Sequence, residues 1–433
     1  MFLLYSILLT LACLACLPYF AYQALVNRKY VLNLRERMGR LPNGLRDDGR
    51  ATLWLHCVSV GETLAAVPLV KALHARFPQH RLVISTTTAT GQAVARERFS
   101  SFAEVCYFPF DWRFTVRRAL DAIRPQAVIL LESELWPNFL RECEARRIPV
   151  LVANGRISDR SFERSARIAL LLRPIYRRVT RWLMQSEMDA RRATKLGALN
   201  VAVSGNLKYD VGDAAQRDKL DTLAQQLNEL FSLERAPLIV AGSTTEGEDE
   251  MVLSAFMTLR NSGVAQDGIL CHNARLLIAP RHPERFAQVA ELIAASGFNW
   301  TRRSQADAQS PQAEIILLDT IGELAALYQF AAIVFVGGSL LPKGGHNILE
   351  PALYGKPIIV GPHMFNFRDI TQEFLRRKAV VQLKSSDELA PAWQRLLTDS
   401  SYAQRLGNNA QQTIVANRGA TARTVEAVAQ LLR

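Results

Sequence analysis

The chain has 433 residues and carries 52 Lys and Arg against 40 Asp and Glu, a formal net charge of +12. This length accommodates two domains with a core each, and the positive charge favours an anionic partner, whether nucleic acid, anionic lipid or a phosphorylated metabolite. The six cysteines are scattered, and their only close pair, Cys13 and Cys16, lies in an apolar run. This pattern indicates neither a disulfide framework nor a zinc site, and it fits a reducing compartment.

The first 26 residues contain no charged side chain and are rich in Leu, Ala, Tyr and Cys. A helix of this length crosses a hydrocarbon core of ~30 Å. The segment lacks the basic start and the cleavage site of a signal peptide, and a buried core helix rarely lacks polar residues on every face. Residues 1–26 are therefore predicted to form a membrane-anchor helix.

The juxtamembrane segment 27–50 that follows is basic. Its positive side chains include Arg28, Lys29, Arg35, Arg37, Arg40 and Arg46. Positive charges beside a membrane segment favour the cytoplasmic side of the membrane. We therefore expect the rest of the chain to lie in the cytoplasm.

From Ala51 onward, short apolar runs alternate with amphipathic helical patterns. The runs predicted to be strands are 52–58, 81–87, 127–131, 149–153, 181–185 and 201–204 in the first half, and 237–241, 274–279, 314–318, 332–336, 357–360 and 379–382 in the second. Such alternation is typical of parallel sheets in a doubly wound α/β fold.

A polar segment separates the two halves of this pattern. Residues 207–235 are charged and helical in pattern and are predicted to be a linker, while 404–433 is predicted to be a C-terminal helix. The remaining parts, 51–206 and 236–403, are predicted to be two Rossmann-like domains. Two such domains imply a cleft in which ligands lie at the carboxyl ends of facing strands.

Charged side chains follow several predicted strands of the first half. Glu62 begins a helix, where a carboxylate stabilises the helix dipole, and the same position suits a general base that takes a proton from a hydroxyl. Glu132 and Glu134 lie in a loop whose aromatic residue, Trp136, indicates partial burial, and buried carboxylates need partners or a function. Lys208, near the boundary between the halves, is placed to reach a leaving phosphate.

The segment 337–351 follows an apolar run and leads into a short predicted helix. Glycines let the backbone approach a ligand closely, and a helix N-terminus attracts anions. We therefore expect a phosphate on the turn 344–347 and a ribose on Glu350. A Gly-rich turn between a buried strand and a surface helix explains the same pattern.

Other loops allow more than one interpretation. Arg281 follows a predicted strand, where its side chain is placed to contact a phosphate or a base, but an Arg-Pro sequence is also common in ordinary surface loops. Glu246 and the hydroxyls beside it are interpreted as a cap of the following helix. The sequence contains no GxGxxG, Walker A, HExxH or DxD pattern, which argues against dinucleotide oxidoreduction, a P-loop ATPase and a metal-held sugar diphosphate. His346 has no second His or Cys at ligand spacing, so no metal site is predicted.

Seven arginines lie between residues 160 and 181, interleaved with the apolar run 168–172. This pattern is typical of a helix that lies on a membrane surface. An ordinary solvated helix with a core-facing stripe explains the pattern nearly as well.

Seven motifs resemble those of one known family. They are SVGE (59–62), ESELWPN (132–138), GNLKYD (205–210), PRHPERF (280–286), DTIGEL (319–324), GGHNILEP (344–351) and GPHMFNF (361–367). Their order and spacing are similar to those of the 3-deoxy-D-manno-octulosonic acid (Kdo) transferases of lipopolysaccharide assembly. The resemblance extends from the apolar N-terminus almost to Arg433.

The resemblance implies a B-type glycosyltransferase (GT-B) fold, in which two Rossmann-like domains face a cleft. It implies transfer of Kdo from CMP-Kdo to the lipid A precursor, lipid IVA, at the cytoplasmic face of the inner membrane. Direct displacement in one attack would invert the anomeric centre. No cofactor, metal or nucleic acid partner is expected.

The resemblance also implies roles for individual residues. Glu62 matches the general base, and Glu132 and Lys208 match the transition-state stabilisers. The residues that match CMP contacts are Pro280, Arg281, Ile321, Gly322, Glu323, Asn347, Ile348, Leu349 and Glu350. Further candidates are Glu134, Gly344, Gly345 and His346.

Two other kinds of function stay open from the sequence. One is a different sugar-nucleotide enzyme of the same fold, such as a UDP-sugar transferase or an epimerase. The other is a membrane-anchored protein that binds a nucleotide or an anionic lipid without turnover. The carboxylates of Glu62 and Glu132 argue against the second.

Overall fold

The protein folds into two compact α/β units. The computed structural model describes residues 2–27, 33–132, 134–210, 214–261, 269–307 and 310–433. The first unit comprises residues 1–210 and 418–433, and the second comprises residues 211–417. Arg28 and Lys29 of the predicted juxtamembrane segment lie outside the described residues.

The first unit is built around a seven-stranded parallel sheet with the order β3-β2-β1-β4-β5-β6-β7. Its strands are β1 (Thr52–Cys57), β2 (Arg81–Thr86), β3 (Glu104–Tyr107), β4 (Ala127–Leu131), β5 (Val150–Gly155), β6 (Arg181–Met184) and β7 (Val201–Val203). Its helices up to β7 are α1 (Phe2–Asn27), α2 (Leu34–Arg37), α3 (Val60–Arg76), α4 (Ala89–Phe99), α5 (Arg113–Ile123), α6 (Pro137–Ala145), α7 (Asp159–Arg167), α8 (Ala169–Tyr176) and α9 (Glu187–Leu196).

The second unit repeats this architecture with the strand order β10-β11-β9-β8-β12-β13-β14. Its strands are β8 (Leu238–Thr244), β9 (Arg275–Pro280), β10 (Trp300–Arg302), β11 (Ile315–Leu317), β12 (Ala331–Val336), β13 (Ile358–Val360) and β14 (Val381–Gln382). Its helices are α10 (Ala214–Phe231), α11 (Glu248–Asn261), α12 (Ile269–Asn273), α13 (Phe286–Ala295), α14 (Leu324–Leu327), α15 (Leu349–Leu353), α16 (Arg368–Arg376), α17 (Leu389–Thr398) and α18 (Ser400–Asn417).

The strands are apolar throughout because both faces of each sheet are covered. In β1, Trp54 packs into the core on one side of the sheet, while Leu53 and Leu55 pack into the core on the other. Parallel sheets covered by helices on both faces require such continuous apolar runs. The prediction of two doubly wound parallel sheets is confirmed.

The boundary between the units differs from the predicted linker at 207–235. Leu207 is buried in the core of the first unit, while α10 belongs to the second unit and buries Leu227 and Phe231. The apolar stripe of α10 explains this difference, because a helix with such a stripe is stable only when it packs.

The predicted C-terminal helix at 404–433 is divided between two helices, α18 in the second unit and α19 (Ala420–Leu431) in the first. The carboxylate of Asp210 accepts hydrogen bonds from the backbone N–H groups of Gly419 (2.7 Å) and Thr421 (2.5 Å). Asp210 thereby caps the N-terminus of α19 and joins the two ends of the first unit.

The N-terminal helix α1 docks on the first unit through its first turns. Ser6 accepts a hydrogen bond from Asn138 (3.1 Å), and Thr10 accepts one from Trp112 (3.0 Å). Large apolar side chains of α1 stay exposed, among them Leu3 (76%) and Leu11 (57%). Among the residues that the structure describes, no helix has both the length and the hydropathy needed to cross a membrane. The anchor role of residues 1–26 stays a prediction.

Candidate active site

Several of the candidate residues, Glu62, Glu132 and Glu350 among them, follow the strands at which each sheet reverses its strand order. The reversal falls between β1 and β4 in the first sheet and between β8 and β12 in the second. Ligands of doubly wound sheets bind at the carboxyl ends of the strands beside such a reversal. In the first unit these ends lead to Glu62 and Glu132, and in the second they lead to the loops 245–248 and 337–350.

Glu62 lies in the first turn of α3, in a capping box. Ser59, the N-cap, accepts a hydrogen bond from the backbone N–H of Glu62 (3.4 Å). The Glu62 carboxylate in turn accepts from the hydroxyl of Ser59 (3.0 Å) and from the backbone N–H of Val58 (2.7 Å). The S-x-x-E spacing of the sequence therefore forms a helix start that also fixes the orientation of this carboxylate.

The ionisation of Glu62 is perturbed by its surroundings. The residue is only 9% exposed, and this burial raises the pKa of its carboxyl to about 7. The N–H of Val58 and the hydroxyl of Ser59 oppose this rise, whereas the charges of Glu132 and Glu134 add to it. A carboxylate with a pKa near neutral pH is suited to take a proton from a hydroxyl group.

Glu132 lies at the carboxyl end of β4 in an unusual backbone conformation. Its φ is 56°, in the left-handed region, which costs a non-glycine residue about 1 kcal/mol. Its backbone N–H donates to the carbonyl of Ala153 (2.9 Å), so the sheet holds the turn in place. Partial burial, with the charge of Glu132, raises the pKa of Glu134 as well. Three carboxylates thus share one electrostatic environment at this sheet edge.

Lys208 lies in the short turn 207–209 after β7. This turn packs against α3, the helix that carries Glu62. The side chain of Asn206 accepts from the backbone N–H of Lys208 (2.9 Å), and the side chain of Asn154 accepts from that of Leu207 (2.9 Å). The structure therefore brings the Lys208 turn to the helix that carries Glu62.

Asn154 is a site residue that the sequence pattern did not single out. It is buried and lies near the carboxyl end of β5 with a φ of 56°, and its side chain fixes the Lys208 turn. Asn is one of the few residue types that adopt the left-handed conformation readily. An Asn directly after the predicted strand 149–153 was therefore a signal that the sequence contained.

In the second unit, Glu248 holds the loop that follows β12. Its buried carboxylate accepts from the backbone N–H groups of Gly338 (2.6 Å), Ser339 (2.9 Å) and Leu340 (2.9 Å). It also accepts from the backbone N–H and hydroxyl of Thr245, both at 2.9 Å. The backbone N–H groups of residues 338–340 therefore already donate hydrogen bonds within the protein. This limits the anion pocket expected in the segment 337–351 to the turn 344–347.

The glycines of the turn 344–347 are required by packing. Gly344 and Gly345 have φ values of 102° and 73°. A Cβ atom on them would lie 2.2 Å from the side chains of Asn366 and Met364, respectively. The helix that follows, α15, has only five residues, so few aligned peptide dipoles contribute to anion binding there.

Glu350 and His346 both lie within electrostatic reach of Arg281. Burial raises the pKa of Glu350, opposed by a hydrogen bond from Asn347 (3.0 Å) and by the charge of Arg281. Burial and the charge of Arg281 lower the pKa of His346 to about 4, so this imidazole is neutral at pH 7. The cation of Arg281 is suited to bind a phosphate, and the oriented carboxylate of Glu350 is suited to accept hydrogen bonds from the hydroxyls of a ribose.

The other predicted CMP contacts lie on neighbouring loops. Pro280 ends β9, and the loop 321–323 follows β11, the strand that pairs with β9. Ile321 is 78% exposed and Gly322 has a φ of 89°, whereas Glu323 receives two hydrogen bonds from Arg303 (2.9 and 3.1 Å).

Ile348 and Leu349, by contrast, are almost fully buried, with exposed fractions of 0% and 1%. The side chains of these two residues are therefore packed in the protein interior, and the backbone N–H of Leu349 donates to the side chain of Asn347 (3.0 Å). In the described part of the chain, no group of three or more His, Cys, Asp and Glu side chains is placed to hold a metal ion.

Comparisons with known proteins assign the chain to a family. A family model described as 3-Deoxy-D-manno-octulosonic-acid transferase (kdotransferase) matches residues 32–211, and one described as Glycosyl transferases group 1 matches residues 296–413. A 3-deoxy-D-manno-octulosonic acid transferase of Haemophilus influenzae is 33% identical over 401 residues, which cover 92% of this chain and 91% of that protein. The chain belongs to the Kdo transferase family.

A second Kdo transferase, from Bordetella pertussis, is 32% identical over 386 residues, 87% of each chain. The enzyme class predicted from the motifs, a glycosyltransferase of lipopolysaccharide biosynthesis, is therefore confirmed. A solved UDP-GlcNAc 2-epimerase from Neisseria meningitidis is similar in fold, with a TM-score of 0.58 over 88% of this chain and 100% of that chain. At 13% identity, this likeness shows the two-unit fold alone.

The raised pKa of Glu62 predicts the pH dependence of Kdo transfer. A base acts only when deprotonated, so kcat/KM should rise as the pH increases through about 7. Glu132→Gln removes a charge that raises this pKa, so the midpoint of the rise should move to lower pH even though the maximal rate also falls. Glu97→Gln, on the exposed face of α4, is the control and should leave the midpoint in place. A midpoint unaffected by Glu132→Gln would contradict this coupling.

Proposed function

We propose that the protein transfers Kdo from CMP-Kdo to the glucosamine disaccharide of lipid IVA, with inversion at the anomeric carbon. The observation that carries the proposal is the oriented, buried carboxylate of Glu62, whose pKa is about 7, at the strand reversal of the first sheet. Membership of the Kdo transferase family supplies the transferred sugar.

Proton transfer to Glu62 accompanies attack by the acceptor. A primary hydroxyl oxygen of the disaccharide forms a bond to the anomeric carbon of Kdo, and the bond from that carbon to the phosphate oxygen breaks. The hydroxyl proton passes to Glu62, and CMP leaves with the electron pair. Burial and the charge of Glu132 both favour the protonated form of Glu62, so the environment stabilises the product of the transfer.

The second unit is proposed to bind the donor. Arg281 would contact the phosphate and Glu350 the ribose hydroxyls, which accords with their shared electrostatic environment. The loop 321–323 and the backbone of 347–349 would complete the CMP contacts. Lys208 and Glu132 are proposed as transition-state stabilisers, with Lys208 as a second cation for the negative charge that develops on the leaving phosphate.

The proposed roles predict different kinetic effects for two substitutions. Glu62→Gln keeps the shape of the side chain but removes the base, so kcat should fall by about two to four orders of magnitude while CMP affinity stays within twofold. Glu350→Gln should instead weaken CMP binding and raise the KM for CMP-Kdo, with a smaller effect on kcat. Turnover is measured by the mass of the product, and CMP affinity by calorimetry, with Glu97→Gln as the control.

Two results would contradict the proposal, one from the Glu62→Gln variant and one from a comparison of sugar-nucleotide donors with the wild-type protein. A folded Glu62→Gln variant with near wild-type turnover would remove Glu62 from the mechanism and leave it a helix cap. Transfer from a UDP-sugar such as UDP-GlcNAc, with none from CMP-Kdo, would favour the other sugar-nucleotide enzymes of this fold.

The proposed mechanism requires no metal ion, since side-chain cations balance the leaving phosphate. We therefore expect EDTA to leave the rate of transfer within about threefold of the untreated enzyme, because no step depends on Lewis-acid stabilisation. The rate is measured before and after chelation and again with excess Mg²⁺. A large loss that Mg²⁺ restores would show that the leaving group depends on a metal.

We propose further that the protein is attached to the inner membrane through α1, with both α/β units on the cytoplasmic side. The exposed leucines of α1 support this attachment. A second apolar surface lies on α8 and the residue before it, where Ile168, Leu170 and Leu171 are 49%, 80% and 59% exposed. Three arginines of α7, Arg160, Arg164 and Arg167, precede this surface, as expected of a segment that lies on an anionic membrane.

The role of α1 can be tested without removing its contacts to the first unit. In Leu8→Gln/Leu11→Gln, the two exposed side chains lose their affinity for lipid, about 1.5–3 kcal/mol each, so partition into membranes should fall more than tenfold. Turnover of a detergent-dispersed acceptor should be unchanged. Leu375→Gln, an exposed leucine of α16, is the control. Unchanged partition in the double variant would show that α1 does not attach the protein.

A further inference from the structure

A cavity rich in arginine lies in the first unit between α5 and the segment 39–47. Its volume is about 670 Å³, and its charged lining residues are Arg40, Arg46, Arg118, Arg124, Asp47 and Asp121. All four arginines are exposed to solvent. Neither the motifs of the family nor the proposed mechanism uses any of these residues.

The positive charge of the cavity is only partly compensated. Four arginines and two aspartates give a net charge of 4 − 2 = +2. Asp47 pairs with Arg124 (3.3 Å), and Asp121 pairs with Arg146, outside the cavity (2.8 Å). Among the described residues, no carboxylate forms an ion pair with the other three cavity arginines.

The helix end at the cavity would normally repel an anion, because the C-terminus of a helix carries partial negative charge. Here that charge is compensated by hydrogen bonds. The carbonyl of Ala122 accepts from the backbone N–H of Asp47 (2.7 Å), and the carbonyl of Ile123 accepts from the guanidinium of Arg81 (3.1 Å). The arginine side chains therefore dominate the field in the cavity.

The cavity wall is held in place by backbone packing. Gly39 has a φ of 75°, and a Cβ atom on it would lie 2.3 Å from the carbonyl oxygen of Thr115 in α5. Arg124 ends α5 in the left-handed conformation, with a φ of 48°, where Gly or Asn is usual. An arginine occupies this position although its conformation costs about 1 kcal/mol.

The cavity is separate from the candidate catalytic carboxylates. It lies at the amino ends of the strands. Arg81, which begins β2, donates hydrogen bonds from its guanidinium group to the backbone carbonyls of Arg46 (2.6 Å) and Ile123 (3.1 Å) beside the cavity. Glu62 follows the carboxyl end of β1. A six-residue strand spans about 20 Å, which places the two sites at opposite edges of the sheet.

We propose that this cavity binds a phosphate group with two negative charges. Guanidinium groups bind phosphate oxygens in pairs of parallel hydrogen bonds, and the net charge of +2 matches a dianion. Among the described lining residues none is aromatic, which disfavours stacking of a nucleic acid base. The phosphate comes from a soluble phosphate compound or from the headgroup of a phospholipid.

The two sources can be distinguished by calorimetry on the full chain in detergent. The probes are sodium pyrophosphate, dihexanoyl phosphatidic acid and dihexanoyl phosphatidylcholine, with saturating CMP to occupy the donor site. At least one of the first two probes should bind, and Arg46→Gln/Arg118→Gln should weaken that binding at least tenfold. Tighter binding of phosphatidic acid identifies a lipid headgroup, and tighter binding of pyrophosphate identifies a soluble phosphate.

A control variant that loses the same charge elsewhere distinguishes binding in the cavity from general attraction between phosphate and a positively charged surface. Arg98→Gln/Arg191→Gln removes two exposed arginines elsewhere in the first unit and should leave the affinity within twofold. Arg46→Lys/Arg118→Lys keeps the charge but loses paired hydrogen bonds, and should give an intermediate affinity. The proposal is overturned if neither phosphate probe binds, if both glutamine variants lose affinity equally, if the cavity variant binds like the wild type, or if phosphatidylcholine binds as tightly as phosphatidic acid.

Discussion

A buried carboxylate in the first turn of a helix organises the loop after the central strand in both units. Glu62 and Glu248 occupy the same place, in the first turn of the helix after the central strand, and each accepts from a nearby backbone N–H and from the hydroxyl of the Ser or Thr three residues before it. They differ in what surrounds the rest of the carboxylate. Three more N–H groups engage Glu248, whereas Glu62 faces the negative charges of Glu132 and Glu134. A buried carboxylate at the start of a helix therefore fixes a loop in the second unit, and in the first it is held in place with a raised pKa.

Strands were predictable from the sequence wherever both faces of the strand are covered. The two that the apolar pattern missed, β3 and β10, are edge strands, and each is only partly buried. An edge strand keeps polar residues because one side of it meets solvent or a loop. The return of α19 to the first unit was also missed, since it depends on the contact of Asp210 with a helix about 210 residues later, and a pattern of local spacing carries no such information.

The candidate site was predictable in part, for a similar reason. Glu62, Glu132 and Lys208 follow strands in recognisable motifs, and the structure places the first two in one electrostatic environment and the turn of the third against α3. Glu248 was missed because its partners lie about 90 residues away, so the glycines after β12 resembled a vacant anion pocket. The sequence left Glu62 as either a cap or a base, and the structure shows how one carboxylate takes the first role in a setting suited to the second.

We infer that burial among carboxylates, and not the motif alone, suits Glu62 to act as a base at neutral pH. The most direct test of this inference is a titration of the glutamate side-chain carboxyl carbons by ¹³C NMR in the resting enzyme, with the Glu62 signal assigned by its loss in Glu62→Gln. We expect a midpoint of about 7 for this signal. A midpoint near the ordinary glutamate value of 4.5 would show that the surroundings do not perturb the carboxyl of Glu62, and would overturn this inference.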